Sequence, residues 1–208
     1  RLSDDARAQA LAPIMNKLRA FLYRPELRSV LGQAQPRFDL NEVFTRRAVV
    51  LVRLPKGQLG TDAAALLGSL LVSHLWRLTL ARTAIPEAKR YPVTFYLDEF
   101  GDFLRLPVDL PDALVQARGL GVGLVLAHQH LEQLDKPVRA AVLANAGSRI
   151  VFRVDHDDAS VIAKRTGGRL RPEDLSGLGA YEAYASLMVD GEATPYGSIT
   201  TLPLTPAA

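Results

Sequence analysis

The sequence contains no cysteine. This excludes a disulfide framework, a thiolate zinc site and a cysteine nucleophile, and it fits a reducing compartment. No Gly-x-x-x-x-Gly-Lys-[Ser/Thr] occurs anywhere: Lys56-Gly57-Gln58-Leu59-Gly60 runs in the wrong order and is followed by Thr61-Asp62. Nothing in the chain therefore cradles a β-phosphate. Gly119-Leu120-Gly121-Val122-Gly123 enters a strand instead of leaving one and has Leu124 where the last glycine of a dinucleotide fingerprint falls. A Gly-x-Ser-x-Gly elbow and a Ser/His/Asp order are also missing. The most apolar stretch, Leu66 to Ala81, is about 16 residues long and carries Ser69, Ser73, His74 and Arg77. It reads as too short and too polar to span a bilayer, and so as a buried helix. Aromatic residues make up 7% of the chain and do not interleave with the basic ones, so base stacking is not signalled. The chain opens on Arg1 without a methionine or a signal pattern, and the expectation is a piece of a longer protein.

What is present suits one sizeable α/β domain: 208 residues, 48% hydrophobic and 23% charged. The net charge of +3 is small, but it is unevenly spread. Residues 1–90 hold 15 basic and 7 acidic side chains, and residues 91–208 hold 10 and 15. A positive half joined to a negative half suits a partner that touches one face, or copies packed head to tail.

Helical spacing of Leu11, Ile14, Met15, Leu18, Phe21 and Leu22 predicts a helix over Asp4 to Tyr23, ended by Pro25, and a shorter helix to Leu31. Strands are expected at Ala48–Leu54, Pro92–Asp98, Val122–Ala127 and Arg149–Val154. Between them fall a long helix from Thr61, a plausible N-cap, to Arg82, and helices over Asp112–Arg118 and Pro137–Ala144. A further helix is capped by Asp157 or Asp158 and ended by Gly167-Gly168. Tyr181–Val189 and Ala193–Thr201 form a hairpin about Asp190-Gly191. The alternation predicts an α/β fold with a mostly parallel sheet, helices on both faces and a C-terminal antiparallel hairpin. The expected divisions are an N-terminal helical segment over residues 1–40, the main domain over 41–202 and a flexible tail over 203–208.

The sharpest signal is Phe95-Tyr96-Leu97-Asp98-Glu99-Phe100, an apolar strand that delivers two adjacent carboxylates to its C-terminal end. Open α/β sheets place ligands there. Nucleotide hydrolysis needs one carboxylate for magnesium, through its water shell, and one to orient the attacking water. Asp98 is assigned to the metal and Glu99 to the water, against the plainer reading that both cap the following helix. Gln129 ends the next apolar strand, where it reaches a γ-phosphate or the attacking water, or serves as an ordinary polar strand end. His128 and His130, two apart, make a weak candidate for a metal pair. Arg118 stands between a helix end and a glycine-rich turn, presented toward a neighbour's transferring phosphate or paired with the helix C-terminus. Arg46, Arg47, Arg53 and Lys56 flank the first strand, and Arg77, Arg82, Lys89 and Arg90 the long helix. They suit sequence-independent phosphate contacts with DNA, or simply a solvated face.

Taken in order, Tyr96-Leu97-Asp98-Glu99-Phe100, Ala117-Arg118-Gly119-Leu120-Gly121-Val122, Ala127-His128-Gln129 and Asn145 to Val154 with Asp158-Ala159 resemble the HerA/FtsK superfamily. The closest branch is that of the conjugative-transfer coupling proteins, the TraG/TraD/VirD4-like ATPases. Phe38-Asp39-Leu40, residues 49–54 and Lys56-Gly57-Gln58-Leu59-Gly60 extend the likeness upstream, so it runs from about Leu11 to Pro203. The resemblance implies a RecA-like fold, with Asp98-Glu99 as the Walker B pair, Gln129 as a polar sensor and Arg118 as an arginine finger acting across a subunit boundary. It implies ATP and Mg as cofactors, and DNA, further copies in a hexameric ring, and a membrane-bound conjugation or secretion apparatus as partners. The location it implies is cytoplasmic, or at the cytoplasmic face of the membrane through segments outside this chain. The absent Walker A motif is expected N-terminal to these residues, which makes them the C-terminal part of an ATP-driven DNA-translocating motor, inactive alone. The alternatives are a non-catalytic ATPase-like scaffold of a transfer apparatus and an unrelated nucleotide-binding α/β domain.

Overall fold

The computed structural model describes Ser3, Arg7, residues 9–13, Met15, Leu18, residues 22–104 and residues 110–203. The helix expected over Asp4 to Tyr23 lies largely outside the described residues, as do the loop around Pro107 and the tail from Leu204. In chain order come helices α1 (Pro25–Leu31), α2 (Glu42–Thr45), α3 (Lys56–Leu59) and α4 (Thr61–Ala81), strand β1 (Val93–Leu97), a 3-10 turn (Phe100–Phe103) and helix α5 (Leu110–Gln116). Strand β2 (Val122–Leu126), helix α6 (Lys136–Asn145), strand β3 (Arg149–Val151) and helices α7 (His156–Ala163) and α8 (Pro172–Ser176) follow. Strands β4 (Glu182–Ser186), β5 (Met188–Val189), β6 (Glu192–Ala193) and β7 (Gly197–Thr200) complete the described chain. There are two compact units: Arg1–Asp109 with Gln116–Val125, and Leu110–Val115 with Leu126–Ala208.

In the first unit β1 and β2 pair in parallel, and the Val93 amide donates to the Gly121 carbonyl at 3.0 Å. Alternation along β1 turns Val93 and Phe95 inward, onto a cluster built on Phe44, Ala117 and Val122. Phe44 meets Phe95 edge to face, with centroids 6.0 Å apart. A second cluster joins Leu27, Leu59, Ala63 and Ala64 and anchors the start of α4.

That start is set by Gly60 at φ 79°, ψ 149°, a conformation essentially reserved for glycine. Thr61 is thus the first helical residue and caps nothing with its side chain, unlike the expectation. Inside α4 the buried hydroxyls of Ser69 and Thr79 donate to carbonyls four residues back, at 2.7 and 2.9 Å. Each polar group is thereby satisfied within its own helix. The helical run Thr61–Ala84 has 24 residues and is long and apolar enough, by length and composition, to cross a membrane. This corrects the reading of a 16-residue run too short and too polar to do so. Its Ala63 and Ala64 are buried against Leu27 and Leu59.

The strand expected over Ala48–Leu54 does not form: among the described residues the run has no ladder partner, and Val49 and Leu51 are 87% and 92% exposed. β-branched residues favour a strand only when a neighbour offers its edge. β1 likewise pairs only with β2 among the described residues. Residues 49–52, Leu71, Leu75 and residues 93–97 line a largely apolar, partly open cavity of about 950 Å³.

The second unit is built on the antiparallel sheet β3-β4-β7, with Ile150 opposite Ala185 and Tyr184 opposite Ser198. Among the described residues parallel pairing is thus confined to β1–β2, and the antiparallel portion exceeds the single hairpin expected. That hairpin is present as β5–β6, with φ of 50° at Asp190 and 88° at Gly191, as its two-residue turn requires. The core gathers Ala159, Ala163, Leu170 and Leu175, with Val151 and Tyr184 packed on it. Helix α7 is capped by Asp155, whose carboxylate accepts from the Asp158 amide at 2.8 Å. The cap expected at Asp157 or Asp158 is therefore displaced, and Asp158 is buried and accepts instead from the Leu131 amide at 2.9 Å.

Gly68 in α4 lets the Phe103 ring pack directly on the helix: a methyl group there would fall 2.3 Å from it. Gly68→Ala should destabilise the protein by about 1–3 kcal/mol through overpacking, although alanine is the better helix former. A thermal melt of the variant, lower than the parent's, is the expected result.

Candidate functional site

β1 ends by delivering Asp98, exposed, and Glu99, half-buried, immediately before Phe100, which is fully buried. To sink Phe100 straight after an edge-exposed strand, the backbone reverses at Glu99, which sits left-handed at φ 49°, ψ 44°. For a residue other than glycine that conformation costs roughly 1–2 kcal/mol. The Asp102 amide closes the turn onto the Glu99 carbonyl at 3.0 Å. Lys56, at the first position of α3, joins its ammonium to the Glu99 carboxylate and to that of Asp102, the latter at 2.7 Å. The hydrogen bond to Asp102, then that to Glu99, holds the Lys56 proton well above the usual lysine range. Lys56, Asp98 and Glu99 all line the apolar cavity.

Arg118 lies in the turn before β2, at the opposite end of the parallel pair from Asp98 and Glu99. Its side chain is exposed, and no hydrogen bond or ion pair engages its guanidinium among the described residues. The turn itself is clamped from below. Arg82, 4% exposed, donates to the Gly121 carbonyl at 3.3 Å and to that of Tyr91, and covers the Phe44 ring at 4.9 Å. Arg90 donates to the Gly119 carbonyl at 2.6 Å and to those of Arg82 and Ile85. Burial, then the charge of Arg90, pulls the Arg82 pKa down from its ordinary value. Both arginines were DNA candidates from the sequence, and both are instead spent on backbone carbonyls of the fold. Nothing in their spacing signals this, because their acceptors lie as far as 39 residues away.

Of the four basic residues around Ala48–Leu54, Arg46 pairs with Glu42 at 3.4 Å, Arg47 stacks on Tyr91 at 4.5 Å and Lys56 holds the two carboxylates. Arg53 is exposed. Gln129 is exposed and lies three residues beyond β2, in the second unit. His128 is half-buried, and burial first of all lowers its pKa from the ordinary value. His130 stands with Asp155 and Asp158, their ligand-type atoms within 4.8 Å of one another. The carboxylates there already accept backbone amides, so capping and the 3.3 Å contact of His130 Nδ1 with Asp155 account for the cluster.

Residues 92–170 match the family described as the TraM recognition site of TraD and TraG. A comparison with curated proteins finds no match. Among solved structures, the trigonal form of the bacterial conjugative coupling protein TrwBdeltaN70 in complex with sulphate aligns with a TM-score of 0.59 at 17% identity, covering 96% of this chain and 50% of that one. The unbound monoclinic form of TrwBdeltaN70 gives 0.51 at 20% identity over 67% of this chain and 38% of that one. TrwB with the ATP analogue ADPNP gives 0.51 at 17% identity over 63% and 36%. The fold is the RecA-like α/β fold seen in those structures, and this chain spans about a third to a half of their length. The family match is confined to residues 92–170, the stretch that holds the Asp98-Glu99, Arg118 and Gln129 motifs.

Two measurements check this geometry. Arg82→Ala leaves the Gly121 and Tyr91 carbonyls without a donor and should lower stability by about 2–3 kcal/mol in denaturant unfolding. Asp155 is held below its ordinary pKa by the Asp158 amide and then by His130, so its contribution to stability is present above about pH 4 and is lost as the pH falls through its folded value. Acid unfolding monitored at the second unit should therefore be shallower in Asp155→Asn than in the parent.

Proposed function

We propose that this chain is the C-terminal portion of an ATP-driven motor that moves DNA during conjugative transfer, with its phosphate-binding loop supplied by another segment of the polypeptide. Asp98 would hold magnesium through water and Glu99 would orient the attacking water, as the exposed pair at a parallel strand end suits. The residues present fit the metal end of a nucleotide site and lack the phosphate cradle, so hydrolysis needs the missing loop. The cavity beside β1 has the surroundings of a buried strand: an open β1 edge, an unpaired β-branched run and apolar side chains from α4. A strand leading into that loop fits there. The family description names a TraM recognition site, and by that likeness residues 92–170 also meet an accessory protein of the transfer machinery. The proposed location is the cytoplasm or the cytoplasmic face of the membrane.

The observation that carries the reading is the separation of Arg118 from Asp98 and Glu99 along the parallel pair. Within one copy the arginine is at the wrong end to meet a phosphate held at the carboxylates. A ring of copies packed head to tail presents it to a neighbour's site. Mixing two inactive variants of the full-length protein tests this. Glu99→Gln and Arg118→Ala should each lower DNA-stimulated ATP turnover about 100-fold or more. A one-to-one mixture should recover up to roughly a quarter of parental turnover, the share of random interfaces with both groups intact. No recovery on mixing would remove the cross-subunit role of Arg118, and full activity of either variant would remove its assignment.

A further inference from the structure

The cluster formed by Lys56, Glu99 and Asp102 is explained by neither strand pairing nor core packing. Glu99 and Asp102 stand three residues apart on a tight turn, where two carboxylates facing each other repel. The cation between them comes from 43 residues away, from the turn that ends the unpaired run 48–54. It ties that turn to the end of β1. A lysine ammonium offers three N–H donors, and the two carboxylates take two directions. Glu99 is the residue that needs such a tie. Its backbone sits in the strained left-handed region, its neighbour Phe100 is locked in the core, and its side chain is half-exposed. Orienting a water requires a carboxylate held within fractions of an ångström, and the Lys56 ammonium supplies such a hold.

We propose that Lys56 is a positioning residue for Glu99, fixing the carboxylate at the end of β1 with Asp102 as the second anchor of the same ammonium. This inference rests on the hydrolytic reading of Glu99. It turns Lys56 away from DNA: its charge is already met by two carboxylates. It also makes the Pro55-Lys56-Gly57 turn part of the site, so that displacement of the 48–54 run would be felt at the attacking water.

The test uses the full-length protein with ATP, magnesium and DNA. Lys56→Met, which keeps the length and removes the charge, should lower kcat about 10- to 100-fold with KM for ATP changed by no more than about threefold. Lys56→Arg should stay within about fivefold of the parent, because a cation is retained. Hydrogen exchange supplies a readout independent of turnover. Peptides covering residues 98–103 should exchange faster in Lys56→Met than in the parent or Lys56→Arg, while peptides from α4 stay unchanged. Should Lys56→Met fail to fold, Lys56→Gln carries the same expectations. Unchanged kcat and unchanged exchange over residues 98–103, in a protein where Glu99→Gln abolishes turnover, would overturn the role of Lys56 and leave the hydrolytic reading standing. Turnover that survives Glu99→Gln would overturn both.

Discussion

Two parallel strands have two chemically different ends, and the pairing of β1 with β2 sorts the functional side chains between them. The carboxylates of Asp98 and Glu99 leave at one end, where the backbone stops making ladder bonds and turns into the core through Phe100. Arg118 leaves at the other end, on a turn fixed by the Gly121 carbonyl bonded to the first amide of β1. No side-chain rotamer can bridge that gap in one copy. An antiparallel pairing would have placed all three groups together and made a self-contained site. The parallel register instead keeps Arg118 and the two carboxylates at opposite ends of the pair.

The supporting interactions follow the same division. At the carboxylate end a single lysine holds Glu99 and Asp102 in an ion cluster that solvent reaches. At the arginine end, two guanidinium groups from the end of α4 and the segment after it donate to backbone carbonyls of the turn and its surroundings. Arg82 is buried for this purpose and accepts a desolvation penalty that the carbonyls and the Phe44 ring offset. One end is held by an ion cluster open to water and the other by a dry guanidinium clamp.

Much of this was legible in the sequence where one chemical signal had one structural meaning. Asp98-Glu99 after an apolar run marked the end of β1, and Asp190-Gly191 marked the hairpin turn, because the backbone conformations required there admit few residue types. The order of motifs carried the family likeness over residues 92–170. What failed depended on partners distant in sequence. Ala48–Leu54 has strand composition but no neighbour among the described residues, so its propensity went unanswered. Arg82 and Arg90 looked like surface cations because a guanidinium reads the same whether it meets phosphate or a buried carbonyl. Lys56 looked like a DNA contact for the same reason, since its carboxylate partners lie 43 and 46 residues on. The cap of α7 fell to Asp155 instead of its neighbours, since three aspartates within four residues compete and only the geometry of the first turn decides.

The central claim is that β1 ends at a nucleotide site which is shared between neighbouring copies and completed by a phosphate loop outside these residues. A structure of the full-length oligomer with magnesium and a non-hydrolysable ATP analogue tests it most directly. The account predicts a strand in the cavity between residues 48–54 and β1, the terminal phosphate beside Asp98 and Glu99, and Arg118 reaching it from the adjacent copy. A nucleotide bound away from the end of β1, or contacted by the Arg118 of its own copy, would contradict it.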